Sequence, residues 1–111
     1  MTCYIVPAAR QPLVPEPLDP DQVVSGDPQV SVYEILDTEQ LAIGIWQHTA
    51  GVSTDVEVDE VFVVLSGRAT IDVEGGPSLS VGPGDVGVLD AGAVTTWHVH
   101  EDLLKIYVIR G

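Results

Sequence analysis

From residue 30 onward the chain is cut into short runs by turn-forming residues, and this punctuation constrains the fold more than any other feature. Alternating apolar and polar runs occupy residues 30–36, 41–48, 56–65, 69–73, 78–81, 86–89, 94–99 and 103–109. Between them fall Asp37-Thr38-Glu39-Gln40, Ala50-Gly51, Ser66-Gly67-Arg68, Glu74-Gly75-Gly76-Pro77 and Gly82-Pro83-Gly84-Asp85. Short strands with turn signals every 8–12 residues or so predict an all-β sandwich or barrel. Each half repeats strand, glycine turn, strand, the order expected of a jelly roll. Gly67 and Gly84 are predicted to reverse the chain, where a positive φ is cheap only without a Cβ. Asp85 is suited to cap its turn by accepting backbone N–H bonds. No segment carries a helical period.

A chain of 111 residues fits one domain. The 45% hydrophobic content argues against disorder. The net charge of -13, with only Arg10, Arg68, Lys105 and Arg110 positive, leaves nothing to neutralise phosphates, so no nucleic acid partner is expected. The same charge disfavours an anionic membrane surface, and no apolar run reaches the roughly 20 residues of a membrane helix. Met1-Thr2-Cys3-Tyr4 lacks the basic start of a signal peptide, which makes the cytoplasm the expected location. Cys3, the single cysteine, allows no internal disulfide and suits a reducing compartment.

Residues 1–29 contain Pro7, Pro12, Pro15, Pro17, Pro20 and Pro28, and proline blocks helix interiors and central strands alike. This is read as an extended arm, anchored at Val23-Val24, ahead of a barrel at 30–111. The arm either lies on a surface, its own or a partner subunit's, or forms a loose tail. A homodimer would bury the arm and the edge strands that otherwise invite pairing.

A set of spaced residues resembles a known family. They are Gly44-Ile45-Trp46, Asp59-Glu60, Leu65-Ser66-Gly67-Arg68, Gly84-Asp85, Trp97 and Lys105-Ile106-Tyr107. Together they resemble the small stand-alone cupins of the ureidoglycine aminohydrolase-type group, over roughly residues 30–110. The resemblance implies a single cupin, or double-stranded β-helix, jelly-roll barrel. Metal-binding cupins place two histidines and a glutamate in one motif and a third histidine in the next, and the imidazoles favour iron, manganese or zinc. Here Glu60 fits the glutamate position. The histidine positions fall on Thr54 and Val56, or on Ser53 and Asp55, and Thr95 stands where the third belongs. No metal and no other cofactor is therefore expected.

The three histidines divide by strand face. His98 and His100 share a face, but Thr95 and Trp97 are the inward positions, so the pair is assigned to the surface or a dimer contact. His48 shares its face with Trp46 and reads either as a satisfied core histidine or as a site residue.

Residues 56–65 place Val56, Val58, Glu60, Phe62 and Val64 on one face, and Asp55, Glu57 and Asp59 on the other, read as solvated. A carboxylate among apolar neighbours has its charged form disfavoured unless a cation pairs with it, and Lys105 is the candidate cation. The predicted site has Glu60 as acid or base and Lys105 holding an anionic substrate, with Trp46, His48, Phe62, Thr95, Trp97 and Tyr107 as the ligand-binding wall. A structural reading of the same residues is a buried Glu60–Lys105 pair that only fixes the barrel. Three functions fit: a metal-independent cupin binding a small, anionic molecule; a non-catalytic partner-binding module; and a metal-dependent enzyme like the ureidoglycine aminohydrolases or the cupin dioxygenases. The fold cannot choose among them.

Overall fold

The computed structural model describes residues 2–111. Nine strands make up the described chain: β1 Val14–Pro15, β2 Val23–Ser25, β3 Val30–Asp37, β4 Leu41–His48, β5 Gly51–Val56, β6 Glu60–Val73, β7 Ser78–Val81, β8 Val86–Leu89 and β9 Val94–Arg110. Two 3-10 turns, Ala8–Arg10 and Pro20–Gln22, are the only helical pieces among the described residues. None is long and apolar enough to cross a membrane.

All pairings are antiparallel, and they join the strands into one curled sheet in the order β1-β3-β4-β9-β5-β2, with β6 against β7, β8 and β9. The all-β jelly-roll expectation is met. β9 is the spine. Its end at Leu103–Arg110 pairs with β4, its start at Val94–Val99 with β5, and β6 runs along its other edge over nearly its whole length.

Two turns expected from the sequence are absent. The chain does not reverse at Ser66-Gly67-Arg68: β6 continues through them, still antiparallel to β9, with register shifts between Val64 and Ala69. Gly67 is a bulge residue at φ +88°, and a Cβ there would strike the backbone of Asp102 and Leu103. Residues 94–99 and 103–109 likewise belong to the single strand β9, because both parts find partners along β6. Gly84 meets the expectation. Asp85 N–H donates to the Gly82 carbonyl at 3.0 Å, and Asp85 Oδ2 accepts from Gly82 N–H at 2.8 Å.

The core lies between the walls of the curl and contains Phe62, Val64, Ala69, Ile71, Leu89, Trp97, Val99 and Leu103, with Trp46 and Val81 packed against it. The N-terminal arm lies along the barrel. β1 extends the edge of β3, β2 extends the edge of β5, and Gln22 Nε2 donates to the Thr54 carbonyl at 3.0 Å. β1 and β2 end the strand order on opposite sides, so residues 16–22 bridge the mouth of the curl.

Candidate functional site

The alternation read along residues 56–65 slips by one at the corner between β5 and β6. Glu57, Val58 and Asp59 lie outside both strands. They are held by Glu57 N–H on the Ala93 carbonyl, Gly92 N–H on the Glu57 carbonyl, and Ala91 N–H on Asp59 Oδ1. Ser53 on β5 and Glu57 in the corner, both odd positions, are buried; along β6 the even positions Glu60, Phe62 and Val64 are. Val56 and Val58 are therefore outside, 64% and 47% exposed, and Glu57 is inside at 6%. This corrects the expected inward Val56 and Val58 and the expected solvated Glu57, whereas Asp55 is exposed as expected. Asp59 does face solvent and pairs with Arg110 at 2.9 Å.

Glu60 opens β6, and Lys105 sits on β9 between Trp46 of β4 and Val64 of β6. Their side chains are 8% and 6% exposed, and Lys105 Nζ donates to Glu60 Oε2 at 2.6 Å. The ammonium also lies 4.4 Å from the Trp46 ring centroid and 4.7 Å from those of Phe62 and Trp97. It thus occupies an aromatic box, an arrangement in which a desolvated cation is attracted to each ring face. Trp97 stands edge-on to Trp46 at 5.6 Å and tilted against Phe62 at 5.7 Å.

Glu57 anchors the adjoining wall. Its Oε2 accepts from Thr95 Oγ1 at 2.6 Å and from Trp97 Nε1 at 3.0 Å. A buried indole N–H and a buried hydroxyl both require an acceptor, and this carboxylate supplies it. His48 is fully buried, with Nδ1–H donating to the Thr49 carbonyl at 2.7 Å and Nε2 accepting from Ser53 Oγ at 2.8 Å. Burial holds its pKa below the ordinary 6.5.

These groups face a cavity of about 520 Å³. Of the predicted site residues, Glu60, Lys105, Trp46, Trp97 and Tyr107 line it. Phe62, Thr95 and His48 stand behind the wall, contacting Lys105, Glu57 and Ser53 respectively. Sequence reasoning missed Glu57 and Asp55, and also Glu16, Glu34 and Asp37 at the mouth. The available signal was the need of inward Thr95 and Trp97 for an acceptor. Asp55 is pushed above the usual aspartate value by burial and by the charge of Glu57. Glu34 is pushed up by its neighbour Asp37, through hydrogen bonding and charge, and Tyr107 by burial and by the charges of Glu34 and Glu16.

The arrangement departs from a metal centre. No group of three or more His, Cys, Asp or Glu side chains among the described residues is placed to hold an ion. Glu60 is engaged by Lys105, and His48 by Thr49 and Ser53. His98 and His100 point outward, to Asp72 and Thr70 at 2.9 Å each. These donors do not fit iron, manganese or zinc.

A curled jelly roll with this inward pair defines a cupin barrel. The model of the EutQ-like cupin domain family matches residues 36–107, and the chain belongs to that family. No curated protein matches the chain. Among solved structures, a protein of unknown function from Pseudomonas syringae pv. tomato is similar at 28% identity and a TM-score of 0.74, over 89% of this chain and 44% of its own. One of unknown function from Rhizobium leguminosarum bv. viciae gives 25% and 0.66, over 73% and 80%. The Clostridium difficile EutQ protein gives 18% and 0.67, over 75% of this chain and 63% of its own, and shares the fold.

Proposed function

We propose that this cupin binds a small polar molecule in its barrel without the histidine-based metal site, with Glu60 as the group that meets the guest. The observation that carries this reading is the cavity of about 520 Å³ with a buried ion pair at its wall. That volume lies within the usual range of ligand sites, which pair apolar walls with a few convergent polar groups. Lys105 is committed to Glu60 and to the aromatic box, so its part is to position the carboxylate rather than to anchor an anion. The spacing of Trp46, Glu60, Trp97 and Lys105 keeps the ureidoglycine aminohydrolase-type group as the finer affiliation under this reading, with a cytoplasmic location. The test is a thermal-shift screen of small amines, amides, ureides and carboxylic acids on the parent chain and on Glu60→Gln and Lys105→Met. Loss of a parent hit in either variant supports the site; equal binding in both overturns it. Stoichiometric manganese, iron or zinc in untagged protein would restore the metal-dependent alternative.

We also propose that the chain forms a homodimer. Val61 pairs with Val88 and Val108, and Val63 with Val86 and Ile106, which forms an uncharged patch across β8, β6 and β9. Val61, Val86 and Val88 are 42%, 63% and 68% exposed, and β8 has no strand on its far edge among the described residues. On a chain of net charge -13 a charge-free patch beside an open edge favours a second copy, since a self-complementary patch closes under two-fold symmetry.

A further inference from the structure

We propose that the guest of the barrel is a small organic cation, an ammonium, quaternary ammonium or guanidinium group, seated between Glu57 and Glu60 against Trp46 and Trp97. The inference rests on the reading of the barrel as a binding pocket and names the class of molecule it takes. Glu57 and Glu60 are each more than nine-tenths buried, and each has one oxygen committed: Glu57 Oε2 to Thr95 and Trp97, Glu60 Oε2 to Lys105. Their Oε1 atoms take part in no hydrogen bond among the described residues and are not sealed from solvent, on side chains that both line the cavity. A guest that brings N–H donors or positive charge can displace water from these oxygens and make charge-assisted hydrogen bonds, which are stronger than neutral ones.

The surroundings repeat the preference. Among the described residues Lys105 is the only basic one on the cavity wall, and Glu60 already pairs with it. Glu16, Glu34, Asp37 and Asp55 surround the mouth. An anion would enter against these carboxylates with no free cation to receive it, whereas a cation is drawn in. Asp55 and Glu34 are already pushed up in part by neighbouring carboxylates, a repulsion that a bound cation would relieve. Trp46 and Trp97 already take the ammonium of Lys105 at 4.4 and 4.7 Å, and both rings also line the cavity, where the guest would lie against them. A metal ion is the poorer occupant, since no three-donor group is placed for one among the described residues.

The test titrates the full chain with choline, putrescine and guanidinium, and separately with acetate, malonate and urea, at low salt. Binding is read from the Trp46 and Trp97 indole resonances. The expected result is saturable shifts with at least one of the cations and none with the anions. Affinity should weaken about fivefold in Glu57→Gln, the scale of one lost charge pair, and should also weaken at high salt. Glu34→Gln, on the exposed rim, serves as the second variant where Glu57→Gln folds poorly, and weaker binding is expected there too. Binding of malonate, acetate or urea without any cation overturns the cation assignment and leaves the pocket standing. Cation binding unchanged in both variants and in salt also overturns it. Silence from all six compounds overturns the binding pocket itself, and this inference with it.

Discussion

Lys105 and Glu60 meet 2.6 Å apart with side chains more than nine-tenths buried, and neither has another charged partner among the described residues. Removing one member leaves the other buried and uncompensated, which costs about 3–5 kcal/mol. Glu60→Gln and Lys105→Met are each expected to lower unfolding stability on that scale in urea titrations. The double variant is expected to lose less than the two single losses added together, since the stranded charge is gone. An additive double variant would show that the pair does not interact. His48 offers a pH signature. Its folded pKa lies below the ordinary 6.5, so on acidification the unfolded chain takes up the proton first. The sign follows from that: this contribution is fully present above 6.5 and is lost as pH falls below it. Stability measured from pH 7.5 down to 5.5 is expected to fall in the parent and to fall less in His48→Asn; equal slopes would refute the assignment.

At the scale of elements, the corner of Glu57, Val58 and Asp59 and the bulge at Gly67 position the site. The corner shifts β6 by one residue against β5, and a one-residue slip exchanges the two faces of a strand. Glu57 and Glu60 both point inward for that reason, although their sequence separation is odd. Gly67 lets β6 bend without ending, so one strand serves both halves of the barrel. Gly67 and Gly84 share nearly the same φ, +88° and +87°, but Gly67 lies on the Asp102 backbone whereas Gly84 has open space. Either alanine variant incurs the backbone strain of about 1–2 kcal/mol. Gly67→Ala is expected to cost clearly more, because a backbone neighbour cannot rotate away. Equal midpoints in thermal unfolding would contradict the bulge.

At the scale of the molecule, β8 leaves an open strand edge among the described residues, next to the uncharged face of Val61, Val86 and Val88. Sedimentation of the parent is expected to give the mass of two chains. Val88→Lys places a like charge on both sides of a two-fold contact from an exposed position, so it is expected to give the monomer with the fold intact. A parent that sediments as a monomer at high concentration would remove the proposed interface. On a chain of this negative charge such a contact would depend on a patch that carries none.

The turn spacing after residue 30 and the inward parity of Trp46, Glu60, Trp97, Lys105 and Tyr107 were readable from the chain, because both are local properties of extended backbone. Alternation has a period of two and persists as long as a strand is unbroken. It could not report the slip at residues 57–59, which is held by bonds to Ala91, Gly92 and Ala93, more than thirty residues away. Nor could it show that Gly67 bends a strand, since that depends on which neighbour β9 offers. The amino-acid order thus settled the barrel and its inner acid and base. Long-range pairing decided that the lysine is already spent on Glu60, that Glu57 joins it inside, and that acidic groups surround the cavity. Charge in a sequence is a sum, and only folding gives it a location.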